Sequence, residues 1–84
     1  MTNKLKKIIL LIIKNTDEGD GASLKMINSS LNILFRDEKY RILFNEDYDL
    51  NSIISEFVDF KYLIINDINN YKITELGKNK IKLL

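Results

Sequence analysis

The sequence predicts an α+β domain built from three amphipathic helices, a tight hairpin and a short basic helix. Apolar residues recur at spacings of three and four through 3–14, 23–34 and 50–60, the period of a helix that buries one face. The stretch "LIINDINNYKIT" at 63–74 then sets β-favouring residues on both sides of an asparagine-rich turn, which is a hairpin signal.

The first helix is expected from Asn3 to Lys14, with Leu5, Ile8, Ile9, Ile12 and Ile13 on its core face and Leu10 and Leu11 widening that face. The acidic, glycine-containing run "NTDEGDG" at 15–21 ends it. The second helix runs from the cap residue Ser23 to about Leu34, burying Leu24, Ile27, Leu31 and Leu34. Its other side carries Lys25, Asn28, Ser29 and Asn32. Residues 36–48 alternate like a strand at Tyr40, Ile42 and Phe44, yet Tyr40, Leu43 and Phe44 fit a helical turn equally well, so no state is assigned. The third helix is expected from Leu50 to about Phe60, with Asp49 or Asn51 near its start. Its apolar stripe is Leu50, Ile53, Ile54, Phe57, Val58 and Tyr62, and Asn51, Ser52, Ser55, Glu56 and Asp59 turn outward. After the hairpin, Thr74 can cap a last helix whose first turn holds Glu75, suited to the positive helix end. Close packing of that helix is expected at Gly77.

The 84 residues form a single domain, 1–84, with 45% hydrophobic and 30% charged residues and a net charge of +1. Cysteine and histidine are both absent, which removes disulfides, thiol catalysis, histidine-based catalysis and the commonest zinc ligands. The lysine-led run Ile8–Ile13 resembles the core of a signal peptide, but six residues are too few and no small-residue cleavage site follows. A buried helix in a cytoplasmic protein is the expectation, with no membrane partner. "DEGDG" at 17–21 lacks the remaining ligands of a calcium loop and reads as an acidic turn. No catalytic constellation, cofactor motif or metal site is expected.

Three helices followed directly by a hairpin is also the order of a winged helix-turn-helix domain. Over residues 50–81 the chain resembles small bacterial and archaeal transcription regulators of that family. Their second wing strand reads roughly Tyr-x-Leu-Thr, followed by x-x-Gly and a basic helix. Tyr71, Ile73, Thr74, Glu75, Gly77, Lys78 and Ile81 stand at those places, after "FKYLIIND". Three departures stand out: Lys61 where the family commonly has glycine, about fifteen residues between the second and third helices, and a short wing turn without Lys or Arg.

The resemblance implies a small DNA-binding transcriptional regulator acting as a homodimer on double-stranded DNA. In that family the third helix reads the major groove, and here its Asn51, Ser52 and Ser55 could contact bases or phosphates, although Glu56 and Asp59 make it a poor reader. By their chemistry Lys25, Asn28, Ser29 and Asn32 of the second helix are the better candidates, with Lys72 of the wing. Charge is segregated along the chain: residues 1–15 carry four lysines and no acid, 49–67 carry four acids against one lysine, and 68–84 carry four lysines against one acid. Lys4, Lys6, Lys7, Lys78, Lys80 and Lys82 are thus candidates for one basic patch, while Glu56 and Asp59 oppose a polyanion. The first helix and the tail Ile81, Leu83 and Leu84 are the expected dimer surface. The alternative is a winged helix that binds a protein partner through its acidic third helix, or an accessory protein of a mobile element, without DNA binding.

Overall fold

A computed structural model describes residues 3–16, 19–38 and 48–84. The elements are α1 (Asn3–Asn15), α2 (Leu24–Leu34), α3 (Leu50–Asp59), β1 (Leu63–Ile65), β2 (Tyr71–Ile73) and α4 (Glu75–Leu83). The order is that of an α+β fold with a two-stranded antiparallel sheet, compatible with a wing. Of the segment left without a state, residues 39–47 lie outside the described residues.

Three helices, α2, α3 and α4, begin at side chains suited to cap them. Ser23 accepts a hydrogen bond from the Met26 N–H at 3.1 Å and starts α2. Asp49 starts α3, its Oδ1 accepting from the N–H groups of Asn51 and Ser52, at 3.0 and 3.4 Å. Thr74 starts α4 by accepting from the Gly77 N–H at 3.0 Å. Each cap satisfies donors that a helix leaves unpaired at its first turn.

The core is wholly apolar among the described residues, and no polar or charged residue is buried in it. From α1 it takes Leu5, Ile9, Leu10 and Ile13, from α2 Ile27 and Leu31, and from α3 Ile53, Ile54 and Phe57. Leu63, Ile73 and Ile81 complete it from the hairpin and α4. Two expectations shift here. Ile8 and Ile12 are half-buried beside the core while Leu10 lies inside it, because a stripe centred on Leu5, Ile9 and Ile13 at intervals of four turns Ile8 and Ile12 to one side. Ile81, expected on a dimer surface, is 7% exposed and belongs to the protein's own core.

The hairpin pairs Leu63 with Ile73, Ile64 with Lys72 and Ile65 with Tyr71. Its turn is closed by hydrogen bonds from Asn69 N–H to Asn66 O and from Asn66 N–H to Asn70 O, at 3.0 and 2.9 Å. Asn69 sits at φ +61°, the left-handed position of a three-residue hairpin loop, which asparagine tolerates. The Asn66 Oδ1 also accepts from the N–H groups of Ile68 and Asn70. Beyond the hairpin, Ala22 pairs with Tyr71 through two short bonds of 2.9 and 2.7 Å. This single residue, placed between α1 and α2, pairs with β2 on the edge away from β1. Gly21 before it has φ +86°, and a Cβ there would stand 2.8 Å from the Tyr71 carbonyl oxygen, so only glycine fits.

Candidate nucleic-acid interface

Two helices begin side by side. The start of α2, with Leu24, Lys25 and Asn28, and the start of α3, with Leu50 and Asn51, line one shallow depression. Both helices present the positive end of their dipoles near it. Lys25, Asn28 and Asn51 are exposed, and among the described residues their side chains make no hydrogen bond or ion pair. A cation, two amides and two helix ends can receive an anion or a base edge.

The other candidate residues divide. Ser29 and Asn32 are exposed on α2 but do not line this depression. Ser52 is exposed on α3, yet its Oγ donates to the Asp49 Oδ2 at 3.0 Å and is occupied in capping. Ser55 lines a second groove, between α3 and the hairpin, with Asn51, Ile54, Val58, Asp59, Ile65 and Tyr71. Asn51 belongs to both depressions, so the two adjoin at the start of α3. Lys72 is half-buried and, by strand alternation, lies on the sheet face opposite Tyr71 and Ile73. Its side chain runs along Gly21, so the structure does not bring it together with Lys25 and Asn28.

The charges arrange themselves differently from the sequence expectation. Glu56, expected to face outward, is half-buried and pairs with Lys6 of α1, Nζ to Oε2 3.2 Å. The acid on α3's exposed face is therefore Asp59, with Asp49 held in its cap. The basic residues of α1 and α4 are also partly engaged: Lys78 pairs with Glu75 at 3.4 Å, and the Lys80 Nζ lies 5.8 Å from the centre of the Tyr62 ring. Burial raises the Tyr48 hydroxyl above its ordinary value of 10.0, where its ring meets Phe35 edge-on at 5.8 Å.

Sequence reasoning missed the shared rim of α2 and α3, because it treated their polar faces as rival readers. The signal was available in the two caps, Ser23 and Asp49, each followed within two residues by an exposed donor. Among the described residues no cluster of acidic side chains could hold a metal ion, and Asp17 and Glu18 of the acidic turn lie outside them. No helix among them is long and apolar enough to cross a membrane. No protein-family model, curated protein or solved structure matches the chain significantly.

Proposed function

We propose that the chain is a winged helix protein that binds duplex DNA as a small transcriptional regulator. The observation that carries this reading is the convergence of Lys25, Asn28 and Asn51 at the adjoining starts of α2 and α3. In helix-turn-helix proteins the recognition helix puts its N-terminal residues on base edges while the preceding helix meets the backbone. Lys25 then serves as a phosphate contact, and Asn51, with Asn28 beside it, as a reader of base edges. The groove past Ser55 to the hairpin supports the same docking, with β1 and β2 as the wing. The bridge at Ala22 supports it further by tying the start of α2 to that wing.

The electrostatics set the strength. Glu56 is drawn back onto Lys6, which removes one repulsive charge from the α3 face. Asp59 remains in the α3–hairpin groove, and Asp67 is exposed in the hairpin turn. Affinity is therefore modest and falls with salt along a shallow slope, because few phosphates are contacted. The double variant Lys25→Ala, Asn28→Ala should lower duplex affinity about tenfold or more and reduce the salt slope by about one, read by fluorescence anisotropy. An unchanged affinity would remove this site from the reading. A second reading, protein recognition by the α3–hairpin groove, is favoured by Asp59 and by the exposed isoleucines 64, 65 and 68 of the hairpin. It predicts instead that the duplex is ignored and that Asp59→Asn has no effect on DNA.

A further inference from the structure

A separate cleft lies across α3 from the groove at Ser55. It is lined by Lys6 of α1, by Glu56, Phe57 and Phe60 at the end of α3, by Tyr62 before β1 and by Lys80 of α4. At about 100° per residue, positions 56 and 60 stand far round the helix from 51 and 55. The Phe60 and Tyr62 rings are stacked, their centres 5.7 Å apart and their planes 20° from parallel. Phe60 is 57% exposed, so one large aromatic ring is left half in water where another flat ring can cover it. The Lys80 Nζ lies 5.8 Å from the centre of the Tyr62 ring and, among the described residues, has no carboxylate partner. Glu56, its side chain 41% exposed, is steadied at the cleft by Lys6 at 3.2 Å. The cavity holds about 260 Å³, just under the roughly 300 Å³ at which small-molecule pockets begin. That is room for one ring system and not for several.

We propose that this cleft binds one unpaired nucleobase with its phosphate, guanine above all. The base stacks on Phe60, a contact open to every nucleobase because each has a π-face. The Lys80 ammonium receives the phosphate. The Glu56 carboxylate can only accept hydrogen bonds, and guanine offers it two donors, the ring N–H and the amino N–H, where uracil offers one. The charges decide against other occupants. Exposed rings alone would suit a cation, but two lysines already stand in this lining. Four lysines and no acid on α1, and three lysines against one acid on α4, bias the field of these two packed helices toward an anion. A purely apolar partner would bury Lys80 and Glu56 and give neither a new partner. The aromatic shelf is also set in advance. The N–H groups of Phe60 and Tyr62 donate to the carbonyls of Glu56 and Phe57 at 2.9 and 2.8 Å, so little ordering is left for the ligand to impose. A free nucleotide and an exposed base of a single strand share this chemistry.

The cleft does not rest on the duplex reading and is tested without a duplex. Titration calorimetry of the wild-type chain with guanosine monophosphate should show one saturable site, and uridine monophosphate should bind about threefold or more weakly. Phe60→Leu keeps an apolar side chain without the ring and should weaken guanosine monophosphate about tenfold. Lys80→Ala should weaken it too and flatten its dependence on salt. Circular dichroism should show both variants folded, because neither residue is in the core. The chain has no tryptophan, so Phe60→Trp adds a single indole whose emission a stacked base should quench. Lys25→Ala with Asn28→Ala should bind the nucleotide as the wild type does, which separates this cleft from the duplex site. A thymine single strand carrying one guanine identifies the source: tighter binding than the nucleotide points to a strand, equal or weaker binding to a free nucleotide. Absence of saturable binding by both probes would overturn the proposal. Nucleotide binding left unchanged by both Phe60→Leu and Lys80→Ala would overturn it as well.

Discussion

The two ends of α3 are built in opposite ways. At its C-terminal end the backbone groups that close the helix are paired. The N–H groups of Lys61 and Tyr62 return to the carbonyls of Val58 and Phe57 at 3.0 and 2.8 Å, and the Tyr62 and Phe57 rings approach to 6.1 Å. That is a Schellman closure with its hydrophobic contact. Thr74 then clasps the turn from α4. Its Oγ1 lies 2.6 Å from the Lys61 carbonyl and 3.1 Å from that of Tyr62, and its N–H donates to the latter at 3.0 Å. At the N-terminal end Asp49 closes the first turn, and Asn51, Lys25 and Asn28 point unpaired into solvent. One end is fastened and the other is left open to a ligand. Stability should therefore respond to substitutions at the first, and binding to substitutions at the second.

The strongest way to break the fastened end is at Gly77. A Cβ there would collide with the Tyr62 carbonyl, which already accepts from Thr74, and would stand 2.7 Å from an Ile73 side-chain carbon. Alanine in a helix interior ordinarily gains about 1 kcal/mol over glycine. Here Gly77→Ala should destabilise, and Gly77→Val should cost about 3 kcal/mol or more, seen as a large drop in chemical-denaturation midpoint. A melting curve unchanged by Gly77→Val would show that α4 does not approach β1 in this way. Thr74→Val keeps the shape and loses both the cap and the clasp, an expected loss of about 1–2 kcal/mol.

Lys61 sharpens the comparison in the other direction. It sits at φ +66°, where a residue with a Cβ pays about 1–2 kcal/mol that glycine does not. Lys61→Gly should raise stability by about 0.5–1 kcal/mol, and a loss would mean that the lysine side chain contributes more than its backbone costs. At the open end, Lys25→Ala should change stability by no more than about 0.5 kcal/mol, in contrast to its expected effect on DNA.

The smallest effect is on pH dependence. Tyr48 has its folded value raised by burial, so its contribution is complete below the ordinary value of 10.0 and is lost as pH rises through the higher folded value. Stability should thus fall slightly more in alkali for the wild type than for Tyr48→Phe.

The fastened end was the more legible one. Asparagines at 66, 69 and 70 marked the turn, Thr74 marked its helix start, and Gly77 marked a close approach. These signals are local, each written in a residue whose chemistry suits one backbone geometry. Lys61 was visible as a departure from glycine, and the structure shows the left-handed backbone being held by the bonds around it. What was not legible was non-local. Ala22 pairs with Tyr71, 49 positions away, and one residue of strand leaves no periodicity to read. Glu56 is turned from the outer face by a lysine 50 positions earlier. The meeting of Lys25, Asn28 and Asn51 depends on how two helices cross, which their separate patterns do not specify.

The open end of α3 is the centre of the functional account, and a salt titration of wild-type binding to a random-sequence duplex tests it most directly. Anisotropy should report measurable binding at about 50 mM salt that falls as a power of salt concentration, with a shallow slope reflecting few phosphate contacts per chain. No binding at that ionic strength would contradict the account and move the α3–hairpin groove from DNA to a protein partner.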